Sequence, residues 1–243
     1  MAKTRQISSQ GYQVTVLDFN GDEGKTPDGV VLFLHGLGAE ANQFRDFATH
    51  IMRASKLGSK HVRFVLPQAL KLEGMDQVGW FGLNLMSWQM AFMGGEQALA
   101  AKIRETPEHM HTTREKLLNL LKEQGNGVPV SKWAIGGFSM GASMTVEVAA
   151  LLKENPAGLL VCSALPLNVN EWAAGLNGVK GTKVLHLHGR SDPLIPIMAS
   201  NWVRDMLKHC GLDVNYVAHN GGHDIGGMAE MDAIQKFFQD ALA

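Results

Sequence analysis

The chain has 243 residues, of which 45% are hydrophobic and 19% are charged, and its formal net charge is −1. This length suits one large α/β domain that buries most of its apolar surface. There is no basic stripe that would predict nucleic-acid binding, and no apolar run is long enough to cross a bilayer. We therefore expect a single domain over residues 1–243, with no nucleic-acid partner and no stable membrane insertion.

The cysteine content and the first residues bear on the cellular compartment. Cys162 and Cys210 are too few for a disulfide framework and fit a reducing compartment. The opening residues, MAKTRQISSQGYQ, contain neither the apolar segment of a secretory signal nor a myristoylation pattern. These features predict a cytoplasmic protein.

Short apolar runs alternate with helical patterns along the chain. The first run, YQVTVLDF, alternates in polarity and predicts an early antiparallel strand. Five later runs are typical of strands buried on both faces: VVLFLH, VRFVLP, KWAIGGF, GLLVCSA and KVLHLHG. DVNYVAH predicts a last strand. Helical patterns are found at 41–55, 113–125, 140–154, 198–211 and 228–242. This alternation predicts a mostly parallel central sheet with helices on both faces.

The stretch GGFSMGAS places Ser139 between Gly137 and Gly141, after a predicted strand and before a predicted helix. The G-x-S-x-G pattern is typical of a sharp turn that presents a serine hydroxyl at the edge of the sheet. A glycine-rich turn with an ordinary capping serine would give the same five letters. The interpretation as a nucleophile therefore depends on finding a base and an acid elsewhere in the chain.

Two further residues follow predicted strands. Asp192 comes after KVLHLHG and His223 comes after DVNYVAH. Because the carboxyl ends of parallel strands meet at one edge of a sheet, both are expected near Ser139. The chain order Ser, Asp, His is that of α/β-hydrolases, in which a histidine activates the serine and a carboxylate orients the histidine.

Other carboxylates compete for the role of the acid. Asp224 adjoins His223, but adjacent side chains usually diverge, and Asp213 lies at the amino end of its predicted strand. Asp192 itself could be a turn former before Pro193. Its position at the carboxyl edge of the sheet favours Asp192 as the acid.

The turn HGLG follows the first buried strand. In an α/β-hydrolase, a backbone amide of this turn and the amide after the nucleophile bind the oxyanion. These amides would belong to Leu37 and Met140.

No metal and no cofactor are predicted. His186 and His188 share one face of a predicted strand, but no H-E-x-x-H pattern or cysteine pair accompanies them. The glycines around Ser139 lack the G-x-x-x-x-G-K-[ST] pattern of a phosphate loop.

In order, VLFLHGLG, VPVSKWAIGGFSMGAS, LPL, VLHLHGRSDPLIP and GGHDI resemble the acyl-protein thioesterase/carboxylesterase group of α/β-hydrolases, also described as lysophospholipase-like. The resemblance runs from about residue 30 to the end of the chain. It implies hydrolysis of carboxylic esters, or of acyl thioesters on lipidated proteins, through an acyl-enzyme on Ser139. It likewise implies Asp192 as the acid, His223 as the base, and the amides of Leu37 and Met140 as oxyanion donors.

The resemblance also implies substrate contacts and leaves some questions open. Trp80, Leu83, Leu167 and Leu194 are the expected substrate-binding residues. Gly82 stands where the family usually has an aspartate, so the preferred substrate stays open, as does the oligomeric state, with a homodimer as one option. The alternative functions are a lysophospholipase, a dienelactone-type hydrolase, which usually has a cysteine nucleophile, and a catalytically silent binding protein.

Residues 82–95, GLNLMSWQMAFMGG, form an apolar segment outside this pattern. Two sets of apolar residues recur at helical spacing: Leu85, Trp88 and Phe92, and Met86, Met90 and Met93. A helix of this composition is apolar on nearly every side. We predict that the segment covers the active site and binds the acyl chain, with the methionines as adaptable contacts. A buried core helix or a dimer contact is the alternative.

Overall fold

The computed structural model describes residues 2–53 and 57–243. Its central sheet has the strand order β1-β2-β4-β3-β7-β8-β9-β10, and a separate two-stranded sheet pairs β5 with β6. The strands are β1 (Lys3–Ser9), β2 (Tyr12–Phe19), β3 (Gly29–Leu34), β4 (Val62–Pro67), β5 (Leu70–Lys71), β6 (Val78–Gly79), β7 (Trp133–Phe138), β8 (Gly158–Cys162), β9 (Lys183–Gly189) and β10 (Asp213–His219).

Most neighbours in the central sheet are parallel. From β4 through β3, β7, β8 and β9 to β10, every pairing is parallel. The pairings of β2 with β1 and with β4 are antiparallel. The predicted mostly parallel sheet is therefore confirmed, including the early antiparallel strand. The sequence analysis missed β1, whose polar residues KTRQISS lie at the exposed edge of the sheet.

Eight α-helices connect these strands within the described residues. They are α1 (Arg45–Met52), α2 (Leu85–Met93), α3 (Gly95–Lys102), α4 (Met110–Gly125), α5 (Met140–Ala149), α6 (Val169–Gly175), α7 (Ile197–His209) and α8 (Met228–Leu242). The helix predicted at 41–55 begins as a 3-10 turn over Ala41–Phe44, and its last two residues lie outside the described part of the chain. Helices α3 and α6 were not predicted.

Helix α5 is shorter than its sequence pattern, which continues to Glu154. It ends at Ala149, and the next amides turn back more tightly. Leu151 N–H donates to Val148 O at 3.1 Å, and Leu152 N–H donates to Ala149 O at 3.0 Å. These i→i−3 bonds satisfy carbonyls at the end of the helix, so the chain leaves α5 five residues early.

The core has one layer on each face of the sheet. Val30 and Leu32 of β3 face a layer that includes side chains of α4, α5, α6 and α7. Val31 and Phe33 face the opposite layer, which includes side chains of α1 and α8. The alternation in β3 and the helices on both sides confirm the predicted α/β architecture, with helices on both faces of the sheet. Within the described ranges, no helix is long and apolar enough to span a membrane.

Candidate active site

Ser139 occupies the turn between β7 and α5. Its backbone has φ 56° and ψ −120°, a conformation that residues other than glycine rarely adopt. The Ser139 N–H donates to Cys162 O at 2.8 Å, which ties the turn to the end of β8. The strained turn is thus held by the neighbouring strand, and the Ser139 hydroxyl faces a cleft.

A close backbone contact holds this turn against the end of β3. A Cβ atom at Gly141 would lie 2.0 Å from Leu34 O and 2.6 Å from His35 O. Only glycine lets α5 begin this close to β3. The contact brings the turn at 35–38 next to Ser139.

His223 connects Ser139 to Asp192. His223 Nε2 lies 2.9 Å from Ser139 Oγ, and His223 Nδ1 lies 2.7 Å from Asp192 Oδ2. An ionised carboxylate only accepts hydrogen bonds, so the Nδ1 proton points to Asp192 and Nε2 is free to accept the serine proton. The three residues that the sequence analysis singled out therefore form one hydrogen-bonded chain.

Backbone amides fix the Asp192 carboxylate. Its Oδ1 accepts from Leu194 N–H at 2.9 Å and from Ile195 N–H at 2.8 Å. Burial alone would raise the pKa of Asp192, but the hydrogen bonds from His223 and these amides outweigh it and hold that pKa below its usual value. Asp192 is thus an ionised carboxylate with one oxygen assigned to His223.

The loops that carry Asp192 and His223 also touch each other through backbone. A Cβ atom at Gly189 would lie 2.0 Å from Gly222 O. Ser191 N–H donates to Gly221 O at 3.1 Å, next to this contact. Glycine at the end of β9 therefore allows the acid loop to approach the histidine loop.

The competing carboxylates have other partners. Asp224 is half exposed, and its two oxygens accept from Gly222 N–H at 3.0 Å and from Gly226 N–H at 2.8 Å. It shapes the loop around His223 without a hydrogen bond to the imidazole. Asp213 is exposed at the start of β10, the end of the strand opposite to the loop of His223.

Leu37 and Met140 both line the cleft beside Ser139. Met140 is the first residue of α5, and amides in the first turn of a helix have no acceptor within the helix. Leu37 lies in the turn at 35–38 that follows β3, and this turn is fixed at Gly38, whose N–H donates to Val78 O at 2.9 Å. The positive end of the α5 dipole also favours negative charge here.

The cleft above Ser139 has a volume of about 320 Å³ and a mostly apolar lining. Leu83 and Leu194, two of the expected substrate-binding residues, contribute to it. The sequence analysis missed several of its other lining residues: Ala39, Gln77, Phe138, Leu165 and Ile195.

Two expected substrate-binding residues do not line the cleft. Trp80 is 1% exposed and lies in the core, where its indole N–H donates to His35 O at 2.8 Å. Leu167 is also buried in the core, and Leu165, two residues earlier, reaches the cleft instead. Hydrogen bonds between Ser143 Oγ and the backbone of Leu165 fix that residue against α5.

Helix α2 forms one wall of the cleft, but its two apolar stripes have opposite environments. Leu85, Trp88 and Phe92 line the cleft, together with Gln89. The methionine stripe faces outward: Met86, Met90 and Met93 are 71%, 67% and 88% exposed. The methionines therefore lie on the face of α2 turned away from the cleft, whereas the sequence pattern led us to expect them at the acyl chain. Within residues 2–53 and 57–243, no group of His, Cys, Asp and Glu is arranged to hold a metal ion.

Three comparisons relate the chain to known proteins. The model of the phospholipase/carboxylesterase family matches residues 22–242. Acyl-protein thioesterase 1 of Neurospora crassa is 28% identical over 221 residues, covering 87% of this chain and 86% of that protein. Two solved structures share the fold. Arabidopsis thaliana SOBER1 superposes with a TM-score of 0.72 at 19% identity, and the match covers 88% of this chain and 99% of that one. Zea mays acyl-protein thioesterase 2 superposes with a TM-score of 0.65 at 18% identity, and the match covers 95% of this chain and 99% of that one.

The contact at Gly141 leads to a stability prediction. Gly141→Ala should lower the free energy of unfolding by about 3 kcal/mol or more, because the new methyl group would overlap Leu34 O and displace backbone. Gly24→Ala is the matched control, since nothing lies within 4 Å of its added Cβ. Urea unfolding measures both variants. Equal stability of the two would mean that the contact does not constrain the turn.

Proposed function

The chain belongs to the phospholipase/carboxylesterase family and is a hydrolase, and we propose that it cleaves carboxylic esters and acyl thioesters through an acyl-enzyme on Ser139. The observation that carries this proposal is the hydrogen-bonded chain from Ser139 Oγ through His223 to Asp192. Ser139 and His223 border an apolar cleft, so an acyl group bound there can lie within reach of the serine hydroxyl.

The proposed reaction begins with proton transfer from Ser139 Oγ to His223 Nε2. The serine oxygen attacks the carbonyl carbon, and the carbonyl oxygen takes up the negative charge. The backbone amides of Leu37 and Met140 bind that oxyanion, and Asp192 stabilises the positively charged imidazole.

The tetrahedral intermediate then collapses. His223 returns its proton to the leaving oxygen or sulfur, and the acyl group stays on Ser139. Water enters and His223 removes its proton as the water oxygen attacks the acyl-enzyme. His223 then returns that proton to Ser139 Oγ as the bond to the acyl group breaks, which releases the carboxylic acid and restores the free enzyme. Every step uses groups of this chain, the substrate and water.

The acyl group of the substrate is proposed to lie along α2. Leu83, Leu85, Phe92 and Leu194 provide apolar surface on the walls of the cleft. Each methylene buried there contributes about 0.8 kcal/mol, so this lining supports a preference for acyl chains longer than acetyl. The substrate class is thus a small ester or an acylated protein.

Substitution of the nucleophile tests the proposal. Ser139→Ala should lower kcat by about 10⁴- to 10⁶-fold on every substrate that the protein hydrolyses, because no acyl-enzyme can form. The panel comprises p-nitrophenyl acetate, p-nitrophenyl octanoate, an S-octanoyl cysteine peptide and a lysophospholipid. Substantial turnover of any of them by Ser139→Ala would refute the proposed nucleophile, and the wild-type ranking identifies the preferred leaving group.

A pair of isosteric variants tests the choice of acid. Asp192→Asn should lower kcat by about 10⁴-fold, because an amide at this position no longer fixes the reactive tautomer of His223. Asp224→Asn is the matched control and should have a far smaller effect, since the Asp224 carboxylate accepts from loop amides and lies near His219 rather than at the His223 imidazole. Steady-state kinetics with one ester compares them. A larger loss in Asp224→Asn would assign the acid to Asp224.

The orientation of α2 leads to a prediction on chain length. Phe92→Ala should reduce the preference for octanoyl over acetyl esters by about 10-fold in kcat/KM, because it removes apolar surface from the cleft. The control combines Met90→Ala with Met93→Ala on the exposed face of the same helix and should leave the preference unchanged. A shift in the control, or an equal loss for both esters in Phe92→Ala, would contradict the proposed acyl site.

A further inference from the structure

Trp80 lies between the two backbone segments that carry the candidate oxyanion donors. Its indole N–H donates to His35 O at 2.8 Å, and its backbone N–H donates to Met140 Sδ at 3.2 Å. We propose that Trp80 is a positioning residue that fixes the amides of Leu37 and Met140 relative to each other. This inference rests on the proposed function and assigns Trp80 a role different from the substrate contact expected from the sequence.

The hydrogen bond from Trp80 holds His35, and the His35 ring in turn holds the Gly36–Leu37 peptide that carries the Leu37 N–H. His35 Nε2 accepts from Ala69 N–H at 3.0 Å, which leaves the ring proton on Nδ1. Burial lowers the pKa of His35, so the ring is neutral and carries only this one proton. His35 Nδ1 lies 2.7 Å from Gly36 O and donates to it.

That hydrogen bond orients the Gly36–Leu37 peptide. In a trans peptide, the C=O and N–H groups point in opposite directions. Because His35 holds Gly36 O, the Leu37 N–H points in the opposite direction within the same peptide plane. Trp80 holds His35 itself, through the bond to its carbonyl and a ring contact with a centroid distance of 5.0 Å.

The second contact acts on Met140. Met140 is 1% exposed, and its sulfur is also close to Gly79, where a Cβ atom would lie 3.1 Å from Sδ. The hydrogen bond to the thioether and the packing in this narrow space together hold Met140 against Trp80. The side chain of the first residue of α5 is therefore fixed by the same tryptophan that fixes the turn at 35–38.

The hydrogen bond from the Trp80 indole N–H to His35 O separates a positioning role from a role in core packing alone, because a phenylalanine could fill much of the same space without making that bond. Trp133 offers a matched case, because it is 5% exposed and its indole N–H donates to a backbone carbonyl, Val128 O, at 3.0 Å. Trp133 begins β7 and does not line the cleft. Trp80→Phe and Trp133→Phe thus remove the same atoms and the same kind of hydrogen bond at two places.

The experiment compares the two variants with a p-nitrophenyl ester and with an alkyl trifluoromethyl ketone, which adds to a serine as a tetrahedral oxyanion. Trp80→Phe should lower kcat by about 10- to 100-fold, weaken ketone binding by a similar factor and leave KM within about 2-fold. Trp133→Phe should leave all three within about 2-fold while lowering the melting temperature. Equal kcat in the two variants, or a raised KM with unchanged kcat in Trp80→Phe, would overturn the inference.

A second variant covers the case in which Trp80→Phe does not fold. Met140→Leu keeps the volume of the side chain and removes the sulfur acceptor, and it should lower kcat and ketone affinity by about 3- to 10-fold at constant KM. Unchanged kcat and ketone affinity in Met140→Leu would overturn the inference. If the wild-type protein hydrolyses no ester or thioester, the proposed function fails and this inference with it. An active wild type with equal tryptophan variants refutes this inference alone.

Discussion

The backbone of α5 touches the backbone of β3 with no room for a side chain between them. Leu34 O occupies the space that a Cβ atom at position 141 would need. Because of this contact, the serine turn and the turn at 35–38 form one surface rather than two separate loops. A second contact of the same kind, between Gly189 and the carbonyl of Gly222, joins the acid loop to the histidine loop. The relative positions of Ser139, Asp192 and His223 therefore depend on close backbone contacts at these two glycines.

Helix α2 is the thin wall between the cleft and the outside. One side presents Trp88 and Phe92 to the cleft, and the other side exposes Met86, Met90 and Met93. Its inner stripe provides the apolar surface that the proposed acyl site requires. The Lys102 ammonium of α3 lies over the Trp88 ring, 5.8 Å from its centroid, and this cation–π contact links α3 to α2.

The sequence predicts the ends of the strands better than the direction of side chains in the loops. Ser139, Asp192 and His223 each follow a recognisable apolar run, and the parallel sheet brings such positions together. Leu165 and Leu167 both follow β8, but Leu165, whose backbone is hydrogen-bonded to Ser143, lines the cleft, whereas Leu167 is buried in the core. The sequence contains no signal for that choice.

Helix α2 has a similar ambiguity. Both of its stripes are apolar, so the periodic pattern predicts a helix without indicating which stripe faces inward. The family resemblance implied that Trp80 contacts the substrate, and Trp80 does lie near the site, but as a buried donor to His35 O. Strand β1 was missed because its polar residues at the sheet edge lack any apolar pattern.

The central claim is that Ser139 is the activated nucleophile of this hydrolase. A long-chain alkyl fluorophosphonate reports on it directly, because an activated serine oxygen displaces fluoride and forms a stable phosphonyl ester. Intact mass spectrometry followed by peptide mapping locates the adduct. We expect one equivalent of label on the peptide that contains Ser139, with hydrolysis lost in proportion to labelling. An adduct on a different residue, or hydrolysis that persists after complete labelling of Ser139, would contradict it.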